Sequence, residues 1–237
     1  MNLIPVIDLL AGQVVRARRG DRKTYQPIVS ALCASSEPVT VARILCEHCA
    51  ARQLYVADLD ALQGGTVQLA TVLRLLQALP ELELWLDAGF ADAAAARALW
   101  AAIGPLAGRI VPVFGSESLR SRDALEACFD PAGTHGNAGI LSLDRRDGQR
   151  LDAAGCWDLP ALWPQRVIVM TLERVGAGTG PDLQTLRSVA RQSPATQLIG
   201  AGGIASEADL AQAREAGASA WLVASALHDL RLPKVAA

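Results

Sequence analysis

Eight short apolar runs, most of them followed by a helix-like stretch, constrain this chain more than any other feature. Strand-like runs fall at 3–8, 53–57, 82–86, 109–113, 138–143, 166–170, 196–200 and 219–223. Helical periodicity predicts helices near 39–51, 66–78, 91–102, 118–128, 182–192 and 206–216, with a short one around 156–162. The runs are apolar on both faces, as parallel strands buried under helices are. Strands alternating with helices of ten or so residues give a parallel sheet. Eight such units in 237 residues point to an α/β chain folded as one (β/α)8 TIM barrel over 1–237. An open doubly wound sheet is the rival, with fewer strands. In a barrel the active site lies at the C-terminal ends of the strands, so the residues ending each run become the candidates.

Composition narrows the partners. Net charge is -2, with acids and bases interspersed, so the clustered Lys and Arg of a nucleic-acid surface are absent. No apolar run approaches the roughly 20 residues of a membrane span. The N-terminus lacks a basic region ahead of its apolar run, which Asp8 interrupts. The expected compartment is the cytoplasm. Five cysteines in no framework spacing predict reduced thiols. Cys46 and Cys49 share a helix face around His48, without a second ligand pair for zinc; packing cysteines and a surface His are expected. His135 and His228 fall in loops, apart from any Ser triad.

Two runs end in an Asp: Leu3 to Asp8 and Gly139 to Asp144. On strands one and five these carboxylates face each other across the mouth. Environment can push the pKa values of such a pair apart, giving an acid and a base. Thr171, ending strand six, is a candidate hydrogen-bond partner for a substrate oxygen. Asp58 and Asp60 end strand two and are candidates to orient Arg16 or the basic stretch Arg18 to Tyr25, which includes Arg19. That stretch reads either as a flap closing on a ligand or as a solvated loop.

The glycines of Ile199-Gly200-Ala201-Gly202-Gly203 let main-chain amides approach an anion, and Ala224-Ser225 follows on the next strand. Barrels often bind phosphate there, which makes Gly202, Gly203, Ala224 and Ser225 the candidate phosphate site. Asp87-Ala88-Gly89-Phe90 and Gly115-Ser116-Glu117 occupy the corresponding place in the first half, where Asp87 and Glu117 repel a phosphate. Val56 to Asp60 aligns with Val169 to Glu173, and Leu86 to Phe90 with Ile199 to Ile204, predicting a duplicated half-barrel.

The chain resembles the histidine-biosynthesis barrels, HisA and HisF. The residues that carry this are Ile4-Pro5-Val6-Ile7-Asp8-Leu9, Gly12-Gln13-Val14-Val15-Arg16, Gly20-Asp21, Asp58-Leu59-Asp60, Ser142-Leu143-Asp144, Thr171 and Gly202-Gly203-Ile204. The isomerase branch, HisA, is the nearer. The resemblance implies an Amadori-type rearrangement of an aminoaldose to an aminoketose, on a substrate with two phosphates and without a cofactor. It implies Asp8 as base, with Asp144 and Thr171 positioning the sugar. The chain departs from that branch after strand six. An Arg-Asp-Gly-Thr stretch carrying the general acid is replaced by Arg174-Val175-Gly176-Ala177-Gly178-Thr179. The segments Arg19 to Tyr25 and Leu32 to Ser36 look more like a HisA-related group of methanogens and methylotrophs linked to one-carbon cofactor (methanopterin or methanofuran-type) metabolism. The expected partner is a small phosphorylated metabolite, with neither nucleic acid nor membrane, and the protein is expected to be a monomer or small homo-oligomer. An isomerase, a divergent enzyme with another phosphorylated substrate, and a non-catalytic phosphometabolite-binding subunit all fit these residues.

Overall fold

The computed structural model describes residues 1–129 and 139–235. Eight parallel strands close on themselves: β1 (Asn2–Leu10), β4 (Gln53–Asp58), β5 (Glu83–Asp87), β6 (Ile110–Gly115), β7 (Ile140–Arg146), β9 (Arg166–Thr171), β10 (Gln197–Ala201) and β11 (Ala220–Val223). Closure is by β11 against β1, in register Asn2 with Ala220 through Pro5 with Val223. Three short strands decorate the rim. β2 (Gln13–Arg16) folds back on β1, β3 (Gln26–Pro27) adds to β2, and β8 (Gln149–Arg150) pairs with β7. The fold is therefore the (β/α)8 barrel that eight apolar runs require.

Outside lie α1 (Pro38–Cys49), α2 (Leu59–Leu62), α3 (Leu69–Ala78), α4 (Ala93–Ile103), α5 (Arg122–Phe129), α6 (Leu183–Gln192), α7 (Glu207–Glu215) and α8 (Ser225–His228). Local chemistry sets their ends. Pro38 opens α1 behind Glu37, whose carboxylate accepts from the Val39 and Thr40 amides. Asp92, Asp182 and Ser206 cap α4, α6 and α7 in the same way. α3 starts three residues later than expected because Asp58 holds the Gln68 amide at 2.6 Å. α5 starts at Arg122 rather than 118, since the Ser118 and Leu119 amides turn back onto the Gly115 carbonyl. The segment after strand five forms two 3-10 turns, Cys156–Asp158 and Pro160–Leu162; Pro160 has no amide with which to continue the first.

The core has two parts. Strand residues facing outward pack with the helices, Leu54, Leu84, Leu141, Val167 and Leu198 among them. The inward-facing residues Ile4, Tyr55, Trp85, Val113, Ile140, Ile168, Ile199 and Leu222 fill the barrel. At its N-terminal end Arg166 stacks on Trp85, 5.3 Å from the ring centroid, and pairs with Glu83 at 3.2 Å. The barrel is thus plugged below, and a cavity lies above, where the strands end.

The histidines and cysteines need corrections. His48 is buried, not at the surface, and its Nε2 lies 3.0 Å from the Leu232 carbonyl. That contact ties the C-terminal segment to α1. His228 is likewise no isolated loop residue. It ends α8, is buried, and its Nδ1 lies 2.9 Å from Ser30 Oγ. Burial lowers its pKa to about 4, the Arg16 charge adding to the effect and Asp229 opposing it. His135 lies outside the described residues. All five cysteines are buried and unbridged, and burial raises the Cys46 and Cys49 thiols to about 12.

Candidate active site

Strand alternation decides which terminal residues face the cavity at the C-terminal end of the barrel. Asp8 pairs in register with Ala57, and Asp144 with Met170. In-register neighbours of a parallel sheet share a face, and all four line the cavity. Asp87, in register with Ala57 on the other side, joins them. Glu117 follows two residues after β6 and completes a set of four carboxylates.

Each has its own surroundings. Asp87 accepts from the Tyr55 hydroxyl at 2.9 Å and the Gly89 amide at 3.2 Å. Asp144 accepts from Ser142 Oγ at 2.6 Å and the Glu117 amide at 3.2 Å. Gly115 makes room for it, since a Cβ there would sit 2.9 Å from Asp144 Oδ2. Glu117 forms an ion pair with Arg22. Asp8 is half-buried and accepts no side-chain or main-chain hydrogen bond among the described residues.

Burial with too few cations keeps protons on this cluster. Burial raises the Asp8 carboxyl to about 7, with Arg22 opposing and Asp87 adding to the rise. Burial and then Glu117 lift Asp87 to about 6, against the pull of Gly89, Tyr55 and Arg22. Asp144 is raised well above the usual carboxylate range by burial, then by Glu117. The Tyr55 hydroxyl is held protonated by burial and by Asp87, Asp144 and Asp8 together. Tyr55 thus sits within the electrostatic reach of all three aspartates. Sequence reasoning read it only as one residue of a strand. Its place two residues before the inward-facing Ala57 was the available clue.

The opposite end of the cavity is built from Gly176, Gly178, Gly202, Gly203, Ala224 and Ser225. Gly203 has φ +86°, and a Cβ on it would overlap the Gly180 carbonyl. Only glycine lets the chain pass there. Among the described residues, the main-chain amides of Gly202, Gly203, Ala224 and Ser225 find no protein acceptor. Free amides around a cavity are an anion's binding groups.

The basic stretch lies over the mouth. Arg22–Thr24 forms a 3-10 turn, and Gly20, Arg22 and Tyr25 line the cavity. The Arg19 amide donates to the Val175 carbonyl at 2.8 Å, and Arg146 donates to the Gly20 carbonyl at 3.2 Å. These bonds and the Arg22–Glu117 pair latch the segment across the barrel.

Four expected site residues lie elsewhere. Thr171 is in register with Arg145 and points out toward α6, where its hydroxyl donates to Asp182 at 3.0 Å. Its neighbour Met170 takes the inward position. Asp58 is buried outside the barrel, where it caps α2 and holds Gln68. Asp60 receives the Ala11 amide at 3.1 Å, so these two acids secure the β1–β2 turn rather than the basic stretch. Arg16 pairs with Asp229 at 2.6 Å. Arg19 lines a shallow outer depression with Arg16, Arg18 and Ala177.

No group of three or more His, Cys, Asp or Glu among the described residues is arranged to hold a metal ion. None of the described helices is long and apolar enough to cross a membrane.

The model of the histidine biosynthesis protein family matches residues 2–233. The chain belongs to that family. A Cenarchaeum symbiosum relative is 28% identical over 97% of this chain and 95% of its own length. One from Nitratidesulfovibrio vulgaris is 31% identical over 89% of this chain and 82% of its own. Both are named 1-(5-phosphoribosyl)-5-((5-phosphoribosylamino)methylideneamino)imidazole-4-carboxamide isomerase. An uncharacterized protein of Methanocaldococcus jannaschii is 40% identical over 65 residues, 27% of this chain. Family membership and isomerase relatives along nearly the whole chain make this histidine-biosynthesis-type barrel an isomerase by class.

Proposed function

We propose that the protein isomerises a phosphorylated sugar or aminosugar by an Amadori-type rearrangement, with Asp8 as base and Asp144 as acid. One observation carries this reading. Strands one and five deliver two carboxylates to one cavity, one raised to about 7 and the other lifted well above the usual carboxylate range. A general base works best with its pKa near the working pH, and a general acid must hold its proton there. Protonated Asp144 gives its proton to the sugar ring oxygen, and the C1–O bond breaks to leave an iminium at C1. Ionised Asp8 then takes the C2 proton. The C–H electrons form the C1–C2 double bond and neutralise the nitrogen. Proton return to C1 and loss of the C2 hydroxyl proton give the ketose, with atoms and charge unchanged overall.

The substrate phosphate is held by the unpaired amides from Gly202 to Ser225. A small phosphorylated metabolite in the cytoplasm goes with this reading, and so does descent from a duplicated half-barrel. Family and relatives support a place in histidine biosynthesis. A different phosphorylated substrate is the second reading, with one-carbon cofactor metabolism as its setting, and Val175 lining the cavity where the isomerase branch carries its acid favours the change of substrate alone.

The test uses a panel of N-substituted 5-phosphoribosylamines, including the relatives' named substrate, in D2O. NMR follows C2 deuteration and ketose formation. Wild type is expected to exchange C2 on at least one member, and folded Asp8→Asn to exchange none. Full turnover by Asp8→Asn removes Asp8 as base. Phosphate-dependent binding of the panel without any C2 exchange supports a non-catalytic binding subunit instead.

A further inference from the structure

We infer that the substrate carries one phosphate only, and that Asp87 and Glu117 are the specificity-determining residues that reject a second. The inference rests on the proposed phosphate site at Gly202 to Ser225. It departs from the relatives, whose printed name contains two phosphoribosyl groups.

The two ends of the cavity use the same strand positions differently. β10 ends in Ala201, in register with Met170, and β5 ends in Asp87, in register with Ala57. A methyl group stands at one end where a carboxylate stands at the other. Past β10 and β11 the amides of Gly203, Ala224 and Ser225 have no protein acceptor among the described residues. Past β5 and β6 the equivalent donors are taken. The Gly89 amide is bonded to Asp87, the Glu117 amide to Asp144, and the Ser116 amide to the Ser142 carbonyl at 2.8 Å. The carboxylates of Asp87 and Asp144 and the Ser142 carbonyl therefore occupy the amides that a second phosphate needs.

Charge acts in the same direction. Arg22 lines that end of the cavity but is committed to Glu117. A phosphate there meets the carboxylates of Asp87 and Glu117 in a desolvated mouth, where like charges repel. Carboxylates and carbonyls accept hydrogen bonds. The group that fits is non-anionic and donor-bearing: hydroxyls or an amine.

Calorimetric titration at pH 7.5 with ribose 5-phosphate and with ribulose 1,5-bisphosphate tests this. Wild type should bind the monophosphate one to one and the bisphosphate no more than about threefold tighter. Asp87→Asn with Glu117→Gln, which keeps side-chain shape and frees Arg22, should raise the ratio of bisphosphate to monophosphate affinity by about tenfold or more. Ser225→Asp should abolish binding of both. A wild-type preference for the bisphosphate of about tenfold or more overturns this inference alone. So does an unchanged ratio in a double variant that folds, as judged by circular dichroism and its monophosphate binding. Loss of that fold is met by the single Glu117→Gln variant, in which the same ratio is read. If wild type binds neither ligand, or if Ser225→Asp binds both normally, the phosphate site itself is wrong and the inference falls with it.

Discussion

Replacing Asp8 with Asn removes a carboxylate that the fold holds at about 7 against an ordinary value of 3.8. A carboxyl raised on folding binds its proton more tightly in the native state than in the unfolded chain. Stability therefore falls as pH rises from the unfolded value to the folded one, and is level above it. Each pH unit in that window costs up to about 1.4 kcal/mol, so the ceiling over about three units is about 4 kcal/mol. Asp8 is half-buried and reaches solvent through the cavity, which brings the expected cost down to about 2 to 4 kcal/mol. Asn is neutral throughout and close in shape to the protonated acid. The Asp8→Asn protein should match wild type near pH 4 and exceed its stability by about 2 to 4 kcal/mol at pH 8. Urea unfolding followed by fluorescence of the five tryptophans, at several pH values across the window, measures the gap. Catalysis should fall by about a hundredfold or more for loss of a general base. A gap that is the same at pH 4.5 and pH 8, or a wild type that is the more stable at pH 8, refutes the reasoning.

Three other outcomes follow from the same geometry. Ser142→Ala deletes the 2.6 Å bond that favours ionised Asp144, so the alkaline limb of the kcat/KM pH profile should move to higher pH; a limb that stays in place removes Asp144 as the acid. Gly203→Ala forces a side chain into the left-handed region and onto the Gly180 carbonyl; stability should drop by about 2 kcal/mol or more and phosphate affinity by about tenfold or more, read by thermal unfolding and calorimetry. Val175→Asp puts a carboxylate into the cavity wall in the stretch where the isomerase branch carries its acid, and a gain of turnover on the relatives' substrate is expected only when it is combined with Asp87→Asn and Glu117→Gln; steady-state assay of the single and triple variants separates the two requirements.

The barrel was legible in the sequence because eight apolar runs leave few other folds, and most strand ends fell within a residue or two of the observed ones. Asp8 and Asp144 were legible because an Asp closing an apolar run has one natural place in such a barrel. So were the glycines at 202 and 203. Thr171, Asp58, Arg16 and Arg19 were misplaced for a common reason. A strand shows successive residues to opposite faces, so one position decides between the cavity and the helix layer. Met170 and Ala57 took the inward places, leaving Thr171 to Asp182 and Asp58 to Gln68. Arg16 found Asp229, more than two hundred residues away in the chain. Tyr55 was passed over because its one mark, a place two residues before inward-facing Ala57, shows its face of the sheet but not the three aspartates it meets there.

Closing the barrel brings Asp8, Asp87 and Asp144 into one mouth and leaves Arg22 spent on Glu117. All three carboxylates are raised, by burial first and then by neighbouring charge, Asp87 acting on Asp8 and Asp144, and Glu117 on Asp87 and Asp144. The order of ionisation follows from their partners. Asp87, with a tyrosine hydroxyl and an amide, goes first at about 6. Asp8, with only the distant pull of Arg22, follows at about 7. Asp144, beside Glu117, is lifted well above the usual carboxylate range. The mouth therefore sets one carboxylate poised near neutral pH, Asp8, with a second, Asp144, whose burial and neighbours favour its protonated form. The loss of an aspartate after strand six need not end proton transfer here, because Asp87 and Glu117, which turn away a second phosphate, also raise Asp144.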